Sequence, residues 1–217
     1  MKACLVVIAK QPESGKVKTR IAAAIGDDRA TDLYRCALQD TLHLARSIEH
    51  VQHVLSYAPP TDDGRRYFAH VAADFTLLPQ QGTNLGERLN GTFSRLLANY
   101  SPVVAIGSDS PDLPAQVIDC AFSVLDAGAD VCLGPADDGG YYLIGMRAMQ
   151  PTLFNDIDWS TEVVTVQTRQ RAVDANLRLT ELTSWHDLDT VSDLQSLRAP
   201  GAPLTRAFVA ALNEGER

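Results

Sequence analysis

The amino-acid sequence predicts an α/β protein, a three-layer α/β/α sandwich built on a mostly parallel mixed sheet. Apolar runs of strand length alternate with stretches that have the period of helices, and this alternation is typical of parallel β-α-β units. The first run contains LVVI without polar alternation, as expected for a central strand that helices cover on both faces. A length of 217 residues favours a single domain over residues 1–217.

The strand candidates are bounded by Gly, Pro, Asp or Asn, and they cover residues 3–9, 51–57, 75–78, 103–106, 130–133 and 141–144. Helical periodicity predicts helices over residues 29–47, 64–72, 87–99 and 115–127. A further helical stretch at 161–176 precedes a short strand candidate at 177–182, and two more helical pieces cover 191–197 and 203–212. The Ala-Pro-Gly-Ala-Pro stretch at 199–203 is a break before the last helix.

Composition excludes several classes of protein. A hydrophobic fraction of 45% and a charged fraction of 21% are typical of a folded globular protein. The formal charge of −8 argues against a nucleic-acid partner, because binding many phosphates requires an excess of Lys and Arg on one face. The apolar stretch in MKACLVVIAK is too short for a signal peptide or a membrane span, so we expect no membrane partner.

The four cysteines form no C-x-x-C pair, and buried free thiols fit a reducing compartment. We therefore expect a cytoplasmic protein. The sequence has no G-x-S-x-G and no G-x-G-x-x-G motif, which argues against an α/β-hydrolase and against a dinucleotide-dependent dehydrogenase.

The densest basic cluster follows the first predicted strand. This segment reads AKQPESGKVKTR, residues 9–20, and contains Lys10, Lys16, Lys18 and Arg20. Because open parallel sheets bind ligands beyond the carboxyl ends of their strands, we interpret it as a phosphate-binding loop. It is not a Walker A loop, because the first glycine is missing and valine follows Lys16. A solvated basic loop is the alternative.

Carboxylates follow the strand predicted at 103–106. The segment AIGSDSPDLP presents Asp109 and Asp112 just past the end of that strand. A carboxylate at this position is suited to hold Mg²⁺ or Mn²⁺ while the metal stays open to substrate phosphates. Asp112 is the better placed of the two to cap the helix predicted from residue 115, so Asp109 is the candidate metal ligand.

Two further acids lie in the segment WHDLDTVSDL, residues 185–194. Asp187 and Asp189 occupy alternate positions, so one of them projects inward and could complete the metal site. Thr190 or Ser192 is the expected cap of the helical piece that follows, and a surface loop of acids before a helix is the alternative. We expect no role for His186, because the histidines show no zinc pattern.

The segment GPADDGGYYLIG turns through Asp137, Asp138, Gly139 and Gly140. Paired glycines allow a ligand to approach the backbone closely, and adjacent acids repel each other unless a cation or hydrogen bonds offset the repulsion. Asp138 is the candidate that orients or deprotonates an acceptor hydroxyl. A plain Asp-Gly hairpin turn is the alternative.

The segment LPQQGTNLGERL enters a helix through Asn84, with Glu87 three residues later. This spacing is a capping box and explains both residues without a functional role. Gln80, Gln81 and Gly82 have no such explanation, so this loop is a candidate to read a nucleotide base.

Taken together, five ordered motifs resemble a bacterial family of predicted GT-A-fold transferases, the DUF2064 family. The motifs are AKQPESGKVKTR, GSDSPDLP, GPADDGGYYLIG, DWST at 158–161 and DLDT at 187–190, and the resemblance covers residues 1–197. This family is also described as radical-SAM selenodomain-associated transferases and as glycosyltransferases linked to arsenosugar biosynthesis. The resemblance implies the nucleotide-diphospho-sugar transferase fold, whose superfamily includes molybdenum-cofactor nucleotidyltransferases and phospholactate guanylyltransferases.

The resemblance also implies roles for individual residues. In the superfamily the loop after the first strand clasps nucleotide phosphates, which corresponds to Lys16, Lys18 and Arg20. Two acids hold the metal, which correspond to Asp109 and, by the DLDT match, Asp189. The nucleotide-binding candidates in these motifs and in the base-reading loop are Ala9, Lys10, Lys16, Lys18, Arg20, Gln81, Gly82, Gly86 and Ser108, and the catalytic candidates are Lys18, Arg20, Asp109 and Asp138.

Three functions stay open, and nucleotidyl transfer is favoured among them. In that reaction a phosphorylated small acceptor attacks the α-phosphorus of an NTP, and the basic loop would stabilise the pyrophosphate that leaves. Glycosyl transfer from an NDP-sugar is the alternative, supported by the description of the family and by Asp138. A non-catalytic nucleotide-binding module is disfavoured, because two acids suited to a metal would then be an unused electrostatic cost.

Overall fold

A computed structural model describes residues 1–195, 197 and 200–215. Within these residues the chain forms a seven-stranded sheet with the order β3-β2-β1-β4-β6-β5-β7. Neighbouring strands are parallel except at β6, which is antiparallel to both β4 and β5. The strands are β1 (Cys4–Lys10), β2 (Gln52–Ala58), β3 (Thr76–Pro79), β4 (Val103–Gly107), β5 (Val131–Pro135), β6 (Tyr141–Met146) and β7 (Leu179–Glu181). The prediction of a mostly parallel mixed sheet is confirmed.

The helices are α1 (Thr19–Ile25), α2 (Asp27–Ser47), α3 (Asp62–Val71), α4 (Leu85–Leu97), α5 (Ala115–Asp126), α6 (Val164–Asp174) and α7 (Pro203–Gly215). Short 3-10 helices cover Pro151–Phe154 and Val191–Gln195. The sequence pattern does not predict α1, because seven residues make less than two full turns and leave no readable period. The predicted helical piece at 191–197 corresponds to the second 3-10 helix, and its Ser196 lies outside the described residues, as does Ala199 of the predicted break.

Helices cover both faces of the sheet, and the alternation of side chains along β1 shows the two layers. Leu5 and Val7 pack in one apolar cluster with residues of α2, α3 and α5. Cys4 and Val6 pack in a second cluster, with residues of α4 and α6 on the opposite face. All four side chains are fully buried. The run without polar alternation is therefore the doubly covered strand that was predicted.

A third apolar cluster packs α1 and α2 against the C-terminal part of the chain. It contains Ile21 of α1, Leu33 of α2 and Leu188, and Phe208 of α7 packs against it. Ile21 and Leu188 are fully buried. This cluster brings the start of α1 beside the segment that carries the DLDT motif.

The cysteines are free thiols, with Cys4 and Cys132 buried, Cys36 half-buried and Cys120 exposed. Along the described part of the chain, no helix combines the length and the apolar character needed to cross a membrane.

Candidate active site

The candidate site lies at the carboxyl ends of two central parallel strands, β1 and β4. These strands pair in register, with Ile8 opposite Gly107, so the loops that follow them leave the sheet side by side. Strand β6 runs antiparallel to β4 and begins at Tyr141, which brings the turn at 137–140 to the same edge. This edge is where open α/β sheets bind their ligands.

Lys18 occupies the centre of the site. Its side chain is only 2% exposed, and its Nζ contacts Oδ1 of Asp109 and lies 3.3 Å from Oδ1 of Asp189. Its backbone adopts the left-handed conformation directly before α1, with φ 48° and ψ 41°. Burial by itself lowers the pKa of Lys18, but the two carboxylates outweigh burial, and the pKa is raised above its usual value. The site is therefore organised around one positive charge.

Asp109 and Asp189 lie side by side because their backbones are linked. The N–H of Leu188 donates to the carbonyl of Asp109 at 2.8 Å. The two carboxylates stay partly accessible, with side chains 49% and 40% exposed. The described residues hold no group of three His, Cys, Asp or Glu placed to bind a metal. A cation here would take two carboxylates from the protein and its remaining ligands from substrate or water.

The turn after Asp189 is closed by Asp193. Its Oδ2 accepts from the N–H groups of Asp189 at 3.0 Å and Thr190 at 2.6 Å, and from the Thr190 hydroxyl at 2.8 Å. Thr190, one of the two predicted caps, lies directly before the 3-10 helix that begins at Val191, and Asp193 reaches back to its N–H.

The three basic residues predicted to clasp phosphates have different surroundings. Arg20 is 68% exposed, and its Nη1 lies 3.5 Å from Oδ2 of Asp189. Lys16 is 70% exposed and pairs with Glu13 at 2.5 Å. The structure thus brings Lys18 and Arg20 together at Asp189, whereas Lys16 is engaged within its own loop.

Tyr34 of α2 connects the loop after β1 with the loop after β4. The sequence did not suggest this role, because Tyr34 lies within the predicted helix at 29–47, where it fits a packing residue. Its hydroxyl lies 2.9 Å from Oγ of Ser108 and accepts from the N–H of Lys10 at 3.0 Å. Burial, strengthened by the nearby charge of Asp109, raises the pKa of Tyr34 to about 12, which keeps the hydroxyl neutral. Ser108 and Ala9, two predicted nucleotide contacts, are 4% and 2% exposed and belong to this buried support.

The glycines of the predicted base-reading loop are explained by packing. A Cβ on Gly82, which has a φ of 129°, would lie 2.5 Å from Cβ of Glu87. A Cβ on Gly86 would lie 2.4 Å from Nε1 of Trp159. Gln81 is exposed just beyond β3 and is the side chain of this loop that is free to meet a ligand.

The predicted cap of α4 by Asn84 is confirmed, whereas Glu87 reaches back to Thr83 and not to the N–H of Asn84. The Asn84 side chain accepts from the N–H of Glu87 at 2.9 Å, and the Glu87 carboxylate accepts from the N–H of Thr83 at 2.7 Å. Gln80 is buried and donates to a carbonyl of β2 at 2.8 Å, so its amide supports the sheet.

The turn at 137–140 joins β5 and β6 as a hairpin. Oδ1 of Asp138 accepts from the N–H of Gly140 at 2.8 Å. Gly139 has a φ of 89°, and a Cβ there would come within 2.1 Å of the carbonyl oxygen of Glu162. Turn geometry and close packing therefore account for the glycines, while the Asp138 side chain remains exposed.

An open cavity of about 450 Å³ adjoins this turn, a volume within the range of small-ligand sites. Arg169 of α6 reaches across it to Glu181 of β7, with Nη2 2.8 Å from Oε2. The other polar residues that line the cavity are Asp137, Glu162, Thr165 and Ser184.

Asp187 is an acid whose titration the site shifts strongly. Ser110 donates to its Oδ1 at 2.6 Å. Burial raises the pKa of Asp187 to about 7; the Ser110 hydrogen bond opposes this rise, and the charges of Asp109 and Asp138 add to it. Asp187 thus faces Ser110, while Asp189 faces Lys18.

Asp112 does not cap α5, which corrects the prediction. Helix α5 begins after Pro114 without a side-chain hydrogen bond at its cap. The buried Asp112 carboxylate instead accepts from Nε1 of Trp185 at 3.3 Å, and its Oδ1 lies 3.2 Å from Nε2 of His186. These partners lie far along the sequence, so no local pattern indicates them.

Comparison with known proteins shows the family and the fold of this chain. The DUF2064 family, described as an uncharacterized protein conserved in bacteria, matches residues 41–161, more than half of the chain. A search of curated proteins finds no match. A solved structure from Desulfovibrio desulfuricans G20, inferred to be a nucleotide-diphospho-sugar transferase, is 35% identical with a TM-score of 0.87 and covers 97% of this chain and 98% of its own.

Two more distant structures share the fold. One is CMP:2-keto-3-deoxy-manno-octonic acid synthetase complexed with CTP, 11% identical with a TM-score of 0.58 over 91% of this chain and 97% of its own. The other is an inositol-1-phosphate CTP transferase from T. maritima, 14% identical with a TM-score of 0.55 over 96% of each chain. With the family match and the 35% identical relative, these findings agree with the motifs: the chain belongs to the DUF2064 family and is a transferase with the nucleotide-diphospho-sugar transferase fold.

Proposed function

We propose that the protein is a metal-dependent nucleotidyltransferase that uses an NTP and a phosphorylated small acceptor and releases pyrophosphate. The observation that carries the metal and phosphate sites of this proposal is the contact of the Lys18 ammonium with the carboxylates of both Asp109 and Asp189. The CTP complex and the CTP transferase of the same fold support a nucleotide as the substrate.

The charge balance of the site supports metal dependence. Asp109 and Asp189 lie beside the positive groups of Lys18 and Arg20, and the exposed Asp138 adds further negative charge to the same edge. A polyphosphate would be repelled by this excess of carboxylates. A divalent cation held by Asp109 and Asp189 would offset this repulsion.

Asp109 and Asp189 fit Mg²⁺ or Mn²⁺ by the chemistry of their donor atoms. Carboxylate oxygens are the ligands that these hard cations prefer, and one or two carboxylates plus substrate phosphates are a common set for Mg²⁺. When bound, the metal would offset phosphate charge and polarise the phosphoryl oxygens. Because an ammonium group and a divalent cation compete for the same oxygens, Lys18 would yield at least one of its two contacts.

The released Lys18 ammonium and the exposed guanidinium of Arg20 would then contact the phosphates. Each charge-assisted hydrogen bond of this kind contributes about 1.5 to 3 kcal/mol. In the proposed reaction an acceptor oxygen forms a bond to the α-phosphorus, and the bond from that phosphorus to the pyrophosphate oxygen breaks. Positive charge on the first loop stabilises the pyrophosphate as it leaves.

The hairpin turn and the cavity beside it are the candidate acceptor site. Asp138 is exposed at this turn, and its carboxylate would take the proton of an acceptor that attacks through a hydroxyl, whereas a phosphate oxygen has no proton to lose. The cavity of about 450 Å³ has the volume for a small acceptor, and Arg169 would have to exchange its contact with Glu181 for the phosphate of that acceptor. Exposed Gln81 is the candidate contact for the base.

Glycosyl transfer from an NDP-sugar is the second candidate. It is favoured by one observation, the description of the 35% identical relative as a nucleotide-diphospho-sugar transferase. In this reaction the acceptor oxygen attacks the sugar carbon and a nucleoside diphosphate leaves. Asp109, Asp189, Lys18 and Arg20 would serve the diphosphate in the same way.

The two reactions differ in the product that leaves. We would incubate the protein with Mg²⁺ and a panel of NTPs and NDP-sugars, together with phosphorylated sugars and alcohols, and measure pyrophosphate and nucleoside diphosphate separately. Saturable pyrophosphate release that requires Mg²⁺ and is lost in Asp109→Asn supports the proposal. Sugar-dependent release of a nucleoside diphosphate, with every NTP inert, would assign the protein to glycosyl transfer.

A further inference from the structure

A polar cluster of buried Asp112, half-buried Trp185 and buried His186 lies beside the candidate site, and the proposed reaction does not use it. The side chain of Asp112 is fully buried, and that of His186 is 6% exposed. Burying a carboxylate costs several kcal/mol unless it is well partnered. Because the burial of this carboxylate is unfavourable, we expect it to have a role beyond packing.

Two side chains lie close to one carboxylate oxygen of Asp112. Oδ1 accepts from Nε1 of Trp185 at 3.3 Å and lies 3.2 Å from Nε2 of His186. The rings of Trp185 and His186 are stacked, with their centroids 5.3 Å apart. The carboxylate thus holds the Trp185 ring by a hydrogen bond, and His186 stacks on that ring while neither of its ring nitrogens has a hydrogen-bond partner among the described residues.

The cluster connects the two segments that carry the proposed metal ligands. Asp112 follows Asp109 on the loop after β4, and Trp185 and His186 precede Asp189. Nearer the site, the same two segments are joined by the Leu188 N–H to Asp109 carbonyl bond at 2.8 Å and by the Ser110 to Asp187 bond at 2.6 Å. Asp112 adds a third contact between these two segments, on the side away from Asp109 and Asp189 in the sequence.

Trp185 is also tied to the hairpin at the same edge. Its N–H donates to the carbonyl of Pro135 at 3.0 Å, and its carbonyl accepts from the N–H of Asp137 at 2.9 Å. A shift of Trp185 would therefore be transmitted both to the DLDT segment and to the turn that carries Asp138.

We propose that Asp112 is a positioning residue that acts through Trp185 to set the spacing of the Asp109 and Asp189 carboxylates, and thereby the affinity for the divalent cation. This inference rests on the proposed function. Partners that orient metal ligands typically change metal affinity by about 10 to 100-fold when they are replaced.

The test measures binding of Mn²⁺ together with inorganic pyrophosphate, a probe that needs no knowledge of the base or the acceptor. Electron paramagnetic resonance gives the affinity from free Mn²⁺ and reports the geometry of bound Mn²⁺ from its line shape. Asp112→Asn keeps the shape but removes the charge, and Trp185→Phe removes the Nε1 donor but keeps an aromatic ring. We expect each to weaken Mn²⁺ binding about tenfold and to alter the line shape.

Asp40→Asn is the matched control for stability. Asp40 is another buried carboxylate, 3% exposed, which accepts from the N–H and the hydroxyl of Thr205 at 2.8 and 2.7 Å. Its replacement should lower thermal stability and leave the affinity and line shape of bound Mn²⁺ unchanged. This control separates loss of stability from loss of ligand geometry.

Wild-type affinity and line shape in Asp112→Asn and Trp185→Phe would overturn the inference. If Asp112→Asn does not fold, Trp185→Phe decides alone. The proposed function is checked in the same experiment, because wild type must bind Mn²⁺ with pyrophosphate and Asp109→Asn must bind it weakly. Failure of wild type to bind would overturn the proposed function and this inference together, whereas wild-type-like behaviour of the two cluster variants overturns only the inference.

Discussion

The ammonium group of Lys18 and the carboxylate of Asp109 form an ion pair between residues 91 positions apart in the sequence. The lysine side chain is almost completely buried, whereas the carboxylate is about half exposed. Oδ1 of Asp189 lies 3.3 Å from the same ammonium group. The positive charge of Lys18 allows the two acids to approach each other in the absence of a metal, because it offsets their mutual repulsion.

Replacing Lys18 with Met should affect the binding of Mn²⁺ alone and the binding of Mn²⁺ with pyrophosphate differently. Mn²⁺ alone should bind about tenfold or more tightly, because the competing charge is gone from the two carboxylates. Mn²⁺ with pyrophosphate should gain less or bind more weakly, because a phosphate contact is lost. Paramagnetic resonance titrations measure both affinities, with exposed Lys2→Met as the control. Unchanged or weaker binding of Mn²⁺ alone would show that Lys18 does not compete with the metal.

Asp109→Asn keeps the shape of the side chain and removes its charge. We expect metal-dependent NTP binding to weaken by about 2 to 5 kcal/mol, because a charged ligand of the cation is lost. With the metal chelated, NTP binding should not weaken. Calorimetry in Mg²⁺ and in chelator measures the difference, and Asp119→Asn, an exposed acid of α5, is the control. Equal affinities of wild type and variant in Mg²⁺ would remove Asp109 from the metal site.

Arg20→Ala should weaken the binding of an NTP and leave the binding of the corresponding nucleoside unchanged. The guanidinium is exposed beside Asp189, so its proposed contacts are with phosphates alone. A loss of about 1.5 to 3 kcal/mol is expected for the NTP. Arg66→Ala, in which an exposed arginine of α3 is removed, is the matched control. Equal losses for the two ligands would indicate that Arg20 has a structural role instead.

The Arg46–Asp74 pair, away from the site, gives a prediction for acid stability. Two hydrogen bonds of 2.8 Å from Arg46 lower the pKa of Asp74 from 3.8 to about 2. Because the folded state favours the ionised carboxylate, the stabilisation is present above pH 3.8 and is lost as the pH falls towards 2. Asp74→Asn should therefore lower the free energy of unfolding by about 0.5 to 1 kcal/mol at pH 7, and less at pH 2.

Urea unfolding at several pH values measures this effect, and the same substitution made in an Arg46→Met background is the control. In that background Asp74→Asn should cost little at any pH. A cost that is the same at pH 2 and pH 7 would contradict the assignment.

Local patterns in the sequence predict most of the secondary structure. The apolar run LVVI indicates a doubly covered strand, and Asn84 with Glu87 indicates the start of α4, because in each case the cause lies within a few residues. Helix α1 is missed because it is too short to show a period, and what holds it is the burial of Ile21 against Leu188 from a distant segment.

Asp112 shows where local reasoning fails. Its spacing before α5 fits a helix cap, yet its carboxylate meets Trp185 and His186 instead. An aspartate accepts equally well from a nearby backbone N–H or from a distant side chain. The choice between them depends on which group the fold buries beside it.

The sequence by itself determined the alternation of strands and helices, the sheet edge at which polar residues gather, and the motifs that contain Lys18, Asp109 and Asp189. Only the tertiary structure decided that these three side chains meet, that Lys16 pairs with Glu13 and that Asp187 faces Ser110. The contact between Lys18 and Asp189 spans 171 positions. Such a contact depends on the order of the strands and on the packing of α1 against the segment around Leu188. Neither can be predicted from the pattern of neighbouring residues.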